Sequence, residues 1–491
     1  MSSNTFYNIN VSRFSTDYSR YVYEDTLDAR YIDPQRFRVP SYTFYTGGTR
    51  MGHYYRSTNS LVGKFDITSQ VNRTHQIKMG MEIRNHKLQL HEFELELREE
   101  TNWQPRIPLL TSVNNNQYTH SPIEAAVYLQ DKIELQDMIV NIGLRYDYFD
   151  PDGVVPKDFR DPDGSIKDVT EPYKTASLKM QWSPRIGIAY PITDRGAIHF
   201  SYGHFFQIPP YEFLYTDPEF EVQLGGLDTR MGNADLKPQR TVIYEIGLQQ
   251  QIAEDIGLDV TGFYKDIRNL LGTRIYELYS MGDIYARYIN RDYGNVHGVT
   301  VSVQKRRTGY LSAAIAYTYQ LAEGNASDPD AVFYDNASYP PRESEKQVVP
   351  LDWDQTHTLN VYVTLSKPDS WGLSLIGKLG SGLPYTPTYQ MVRTFFENSE
   401  RKPSQFTVDV KAHKDFQLLG ITYALFLKAY NLFDRRNEDN VYTDTGRASY
   451  SLISHYVPDP GIFPSDLEDY LNRPQYYSEP RRVVLGLSLA F

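Results

Sequence analysis

An all-β, transmembrane, antiparallel up-and-down barrel is the fold class the sequence predicts, and three observations predict it. Segments of alternating apolar and polar residues recur along the whole chain, short turns and long polar loops alternate between them, and tyrosine is abundant, at 41 of 491 residues. A tilted strand of about nine to eleven residues crosses a bilayer with one face to lipid and one to a polar lumen. The signature of such a strand is alternation, not an apolar run.

The last stretch carries the pattern most plainly. Val483, Leu485, Leu487, Leu489 and Phe491 fall on one side of an extended strand, and Val484, Gly486, Ser488 and Ala490 on the other. It has the length of a membrane strand and ends on an aromatic residue, as a closing barrel strand does. Taken alone it fits the last strand of a soluble sheet equally well, because alternation does not say whether the apolar face meets a core or lipid.

Composition narrows the choice. No stretch of about 18 apolar residues occurs, and with a mean hydropathy of -0.52 a helical membrane protein is excluded. A barrel is not excluded, since half of each strand faces water, and girdles at two lipid interfaces account for the 14% of aromatic residues. Cysteine is absent, so disulfides and thiolate metal sites play no part. The formal charge of -11 argues against a nucleic-acid partner, which calls for clustered Lys and Arg.

Read in order, the chain opens on an alternating segment from Phe6 to Arg13, followed by polar and aromatic sequence to Tyr55. Leu61, Phe65, Ile67 and Val71 then share one face, and beyond Asn72-Arg73-Thr74 so do Ile77, Met79, Met81 and Ile83. A one-residue slip here would put Lys78, Glu82 and Arg84 into lipid, where a basic side chain costs about 2 to 4 kcal/mol near the midplane. Similar pairs reverse near residues 136, 194, 254, 308, 369 and 419, which gives about sixteen strands. Long polar segments at 150–174, 208–238, 268–288, 322–352, 381–404 and 434–479 alternate with those turns, as extracellular loops alternate with periplasmic turns. Both the start near Phe6 and the C-terminus are therefore placed on the periplasmic side. A propeller would repeat a blade signature at a fixed period, and none is present.

Several motifs then acquire a meaning. Trp182-Ser183-Pro184-Arg185-Ile186-Gly187-Ile188-Ala189-Tyr190, Phe200-Ser201-Tyr202-Gly203, Pro209-Pro210, Gly232-Asn233-Ala234-Asp235-Leu236-Lys237-Pro238, Tyr293-Gly294-Asn295-Val296-His297-Gly298, Ser381-Gly382-Leu383-Pro384-Tyr385-Thr386-Pro387 and Asn431-Leu432-Phe433-Asp434 form a set. As a set, from about Ala125 to Phe491, the chain resembles the barrel of TonB-dependent outer-membrane receptors, in the variety that carries a carboxypeptidase-regulatory-like domain before its plug. Gln239 stands where that family often has Glu after Lys-Pro.

The resemblance implies a bacterial outer-membrane location and a barrel of about 22 strands around an N-terminal plug. It implies uptake of a scarce ligand (siderophore, glycan, vitamin or peptide) with energy relayed by the TonB complex, and folding through the barrel assembly machinery. It implies no enzyme activity and no cofactor. The whole chain, 1–491, reads as a single transmembrane barrel domain. No plug or TonB-contacting segment is found before Phe6, so these and about six strands are expected upstream, and no residue of energised transport is carried over. The expected shape is a curved, incomplete wall with the Tyr7 and Leu487 strands as free edges. The alternative is a passive porin of about sixteen strands, closed on itself.

Candidate site residues are few. Asp161, Asp163 and Asp168, beside Gly164, resemble a calcium loop, although the spacing departs from an EF-hand and a solvated acidic turn accounts for it as well. Tyr211, Phe213 and Tyr215 are candidates for ligand contact, with packing between loops as the plainer reading. Lys78, Glu82, Arg145 and Asp147 face the lumen, where they line a pathway, meet a plug or pair along the wall. His91-Glu92 lacks the second His of a zinc helix, and Gly380-Ser381-Gly382 lies on a turn, so hydrolase signals are absent. Val483, Leu485, Leu487, Leu489 and Phe491 are the expected assembly strand.

Overall fold

A computed structural model describes residues 4–37, 45, 47–98, 102–280, 282–325, 328–337, 347–368, 370–389, 392–393, 396–452 and 471–490. Sixteen long strands form one antiparallel wall: β1 (Thr5–Arg20), β2 (Gly52–Gln70), β3 (His75–Glu94), β4 (Ile123–Glu134), β5 (Ile139–Asp150), β6 (Lys179–Thr193), β7 (Gly196–Gln207), β8 (Gln239–Ala253), β9 (Ile256–Glu277), β10 (Ile284–Thr308), β11 (Leu311–Gly324), β12 (His357–Lys367), β13 (Trp371–Gly380), β14 (Gln405–Leu418), β15 (Ile421–Tyr430) and β16 (Arg482–Ala490). Each pairs with its neighbour in sequence, and among the described residues no ladder joins β1 to β16. The wall is open at the two edges the sequence names.

The register shows why these residues form these strands. Residues directly opposite share a face. On one face the apolar row passes from Ile9 to Phe65, Met81 and Val127, then to Tyr146 and Trp182. It resumes at Ile188, Phe200 and Ile246, and crosses Val260, Val301, Tyr317 and Leu359. Leu375, Val410, Leu427 and Leu485 complete it. This band is exposed, Leu485 to 70% and Val11 to 72%, and lies on the face opposite Glu124, against which residues 208–238 pack. Asp131, which falls on the same face near the periplasmic end, is met there by His75 at 2.7 Å.

Aromatic rings edge the band. Tyr146 lies 4.7 Å from Trp182, and Tyr202, Tyr244 and Tyr264 follow at 5.1 and 6.3 Å on the extracellular side. Tyr310 with Trp371 and Phe416 with Tyr423 occupy the periplasmic side. These are the girdles that the tyrosine count foretells. The inner face is lined with polar and small residues. At Gly486 on β16 the ring of Phe426 occupies the place of a side chain, with its edge 2.1 Å from where a Cβ would stand. A larger residue there requires that ring to turn aside.

The short connections at residues 71–74, 135–138, 194–195, 254–255, 309–310, 368–370 and 419–420 lie at one end. The opposite end carries the described parts of loops 1 to 8, which fall within 21–51, 95–122, 151–178, 208–238, 278–283, 325–356, 381–404 and 431–481. One of the expected long loops is strand. Residues 268–288 are mostly strand, since β9 and β10 continue above the membrane through irregular register at Asn269 and close in the brief loop 5. β1 and β3 likewise extend past Arg13 and Ile83. Above the bilayer the outer face needs no apolar residues, so alternation fades while the backbone ladder continues.

Candidate functional site: the lumen wall and its mouth

The inner face concentrates charge on β2 to β6. Tyr128 donates to Asp66 at 2.5 Å, and Lys64 lies 3.5 Å from the same carboxylate. Arg84 bonds Glu82 at 2.5 Å and lies 3.7 Å from Glu124, and Arg145 bonds Asp147 at 2.7 Å. Glu82, Arg145 and Asp147 thus pair along the wall. Lys78 is exposed and lines a cavity of about 580 Å³ together with Arg145, Arg185 and Glu245.

Loop 4 closes over this surface. Pro209-Pro210 leads into α1 (Tyr211–Tyr215), a single short turn whose end is tied by the Thr216 amide and hydroxyl to the Glu212 carbonyl. The helix lies on the inner face of the wall. Leu214 and Tyr215 are buried with Leu88, Phe149, Leu236 and Tyr288, and Tyr211 and Phe213 pack at the margin of that cluster. Tyr211 donates to Glu124 at 2.8 Å, Tyr215 donates to the Pro151 carbonyl, and the Tyr215 ring stacks on His120 at 4.1 Å. Burial, and after it the adjoining Glu124 carboxylate, pushes the Tyr211 hydroxyl far above the ordinary tyrosine range. Beneath the helix a cavity of about 240 Å³ is lined by Glu82, Arg84, Glu124, Arg145 and Asp147.

The far side of loop 4 is fastened to β10 and loop 6. Arg230–Met231 pairs in parallel with Ala286–Arg287, Asn233 donates to the Tyr288 carbonyl at 2.8 Å, Arg287 donates to Asn233 at 2.7 Å, and Arg230 meets Asp330 at 2.8 Å. Glu124, Arg230, Asn233 and Arg287 were not singled out by sequence. Only Asn233, inside Gly232-Asn233-Ala234-Asp235, carried a signal.

The other candidates sit as follows. Asp161 accepts the amides of Ile166 and Lys167 at 3.1 and 2.9 Å, and Asp163 accepts from the amide and hydroxyl of Ser165 at 3.0 and 2.9 Å. These carboxylates organise a turn. Asp168 takes a positive φ of 52° within it. Among the described residues no three His, Cys, Asp or Glu side chains gather closely enough to hold a metal ion. Val483, Leu485, Leu487 and Leu489 lie in the outer band, and Phe491 lies outside the described residues.

An open wall with a greasy outside, a charged inside and a loop folded into its mouth matches a known family. The model described as TonB dependent receptor-like, beta-barrel, covers residues 2–432. This chain belongs to the TonB-dependent receptors. Its place is the bacterial outer membrane, and the family match begins well before Ala125, where the sequence motifs start. Among solved structures, FpvA of P. aeruginosa with a pyoverdine and iron aligns over 99% of this chain and 54% of its own, with 10% identity and a TM-score of 0.59. The ferric-catecholate import receptor Fiu of E. coli aligns over 89% and 55%, with 15% identity and a TM-score of 0.52. The ferric yersiniabactin receptor FyuA of Yersinia pestis aligns over 90% and 56%, at 13% and 0.53. At such identities they share the fold with this receptor, which spans about half their length. No curated protein matches the chain.

Proposed function

We propose that this chain supplies most of the barrel wall of an outer-membrane receptor that takes up a scarce ligand with energy relayed by TonB. The observation that carries this reading is loop 4, folded onto the inner face and hydrogen-bonded there through Tyr211 and Glu124. A mouth narrowed in this way suits capture and controlled admission better than free diffusion. The chain's family supports the same reading, because TonB-dependent receptors bind ligands and contact TonB. On this proposal the strands that close the wall, and the plug, are not among the residues of this chain. Tyr211 and Phe213, at the margin of the loop 4 cluster, are the proposed ligand contacts, while Tyr215 is buried within it.

A passive porin of about sixteen strands requires β1 and β16 to pair. In hydrocarbon each unpaired backbone group costs several kcal/mol, so an open edge in the finished protein demands further strands. Growth settles the matter: a strain lacking this receptor and a strain lacking TonB are compared in media limited in turn for iron, glycan, cobalamin or peptide. A shared defect in one medium is the expected result. A receptor-deletion defect that TonB loss does not reproduce contradicts the proposal.

A further inference from the structure

Between loops 2, 4 and 6 and the upper end of β10 lies a cavity of about 500 Å³, within the range of small-ligand sites. Four carboxylates line it, on Glu212, Asp217, Asp228 and Asp330, and one cation, Arg230. Arg230 is already engaged by Asp330 at 2.8 Å, and among the described residues no basic side chain pairs with Glu212, Asp217 or Asp228. The cavity therefore presents an uncompensated negative field.

Asp217 shows that this is a built feature rather than a solvated acidic rim. It is 8% exposed, one of its carboxylate oxygens is buried without a hydrogen-bond partner, and its backbone is held at a φ of 52°. A buried, unpaired acid in a left-handed backbone costs stability, and such costs persist where a ligand repays them. Burial, followed by the neighbouring Glu221, raises its pKa well above the ordinary aspartate value.

The chemistry of the ligand follows from three exclusions. Anionic ligands are repelled. A single metal ion does not fit, because no three carboxylates among the described residues come close enough to share one. A neutral glycan leaves Glu212 and Asp228 without a counter-charge. What fits is a molecule with several separated cationic groups on apolar stems, which the rings of Phe213 and Tyr288, 4.9 Å apart in the cavity wall, would cover.

We propose that this cavity binds an oligocationic segment, of the kind a lysine- or arginine-bearing peptide presents, as the docking site for the imported ligand. The inference rests on the import reading and names the ligand class.

Labelled tri-lysine is titrated into the detergent-solubilised full-length receptor and followed by fluorescence anisotropy, with Nε-acetylated tri-lysine, spermine and maltohexaose as competitors. Tri-lysine is expected to bind saturably and more weakly as salt rises, and acetylation to weaken it roughly tenfold or more. Asp217→Asn and Asp228→Asn are each expected to cost a comparable factor, and Asp137→Asn in a periplasmic turn to cost nothing. Competition by spermine at the same strength assigns the site to cations at large rather than to peptides and overturns the peptide part. Absent binding, equal binding of the acetylated peptide, displacement by maltohexaose, or indifference to Asp217→Asn and Asp228→Asn overturns the proposal. None of these outcomes bears on the growth comparison, so failure here leaves the import reading to stand or fall separately.

Discussion

At the scale of single residues the wall is built by complementary surfaces and the mouth by conflicts. Asp217 is the sharpest conflict. In the unfolded chain it ionises near about 3.9, the ordinary aspartate value. In the folded protein burial, then Glu221, Glu219 and Asp163, hold its pKa well above that, against one opposing backbone hydrogen bond from Glu221. The folded state therefore binds the proton more tightly. The stability this group lends is complete below the unfolded pKa and is lost as pH rises toward the folded value. Asp217→Asn, permanently neutral, is expected to raise Tm at pH 7 and to leave it unchanged near pH 3. A lower Tm at pH 7 would mean that the carboxylate earns favourable contacts as an anion. Asp235 has the opposite sign: burial opposes its charge, but Lys179 and Ser177 outweigh this and bring it down to about 2. Its contribution is present at neutral pH and disappears only as pH falls below the usual carboxylate range.

At the scale of elements, strands were legible and loops were not. Alternation located all sixteen strands because lipid on one side and water on the other impose a period of two that no other setting sustains so long. It lost β9 and β10 above Asn269, where both sides are wet and the constraint lapses. The inward fold of loop 4 was illegible for a different reason. The hydrogen bond from Tyr211 to Glu124 joins residues far apart in sequence, and nothing local in Tyr211-Glu212-Phe213-Leu214-Tyr215 distinguishes packing on a wall from reaching toward a ligand. Tyr211→Phe removes a bond to a charged group, worth about 1.5 to 3 kcal/mol. Hydrogen exchange at residues 211–216 is expected to quicken accordingly while 471–480 keep their rate, and unchanged exchange would mean that the tether does not hold the loop. In β16, Leu487→Arg puts a charge in the outer band and is expected to cost about 2 to 4 kcal/mol on refolding into phospholipid vesicles. Ser488→Arg, turned to the lumen, costs far less. Equal costs at the two positions would erase the distinction between faces.

At the scale of the whole molecule, everything depends on which medium touches the apolar band that runs from Ile9 on β1 to Leu485 on β16. Fold and cellular place follow from that band and from the family; the ligand does not, because receptors for unlike ligands share the same wall and differ in their loops. The candidate site was legible only as a region, the loops at one end, since its charges come together through contacts between loops 2, 4 and 6 that leave no periodic trace. This chain holds no cysteine of its own to compete with labels placed in it. Single cysteines at 424 to 428 and 485 to 488 in the full-length protein are spin-labelled in vesicles and tested for relaxation by oxygen, which dissolves in acyl chains, and by a water-soluble nickel chelate. Labels at Leu425, Leu427, Leu485 and Leu487 should respond to oxygen, and those at Ala424, Phe426, Lys428, Gly486 and Ser488 to nickel, in strict alternation. Uniform response along both strands, or the reverse phase, would contradict the membrane wall described above.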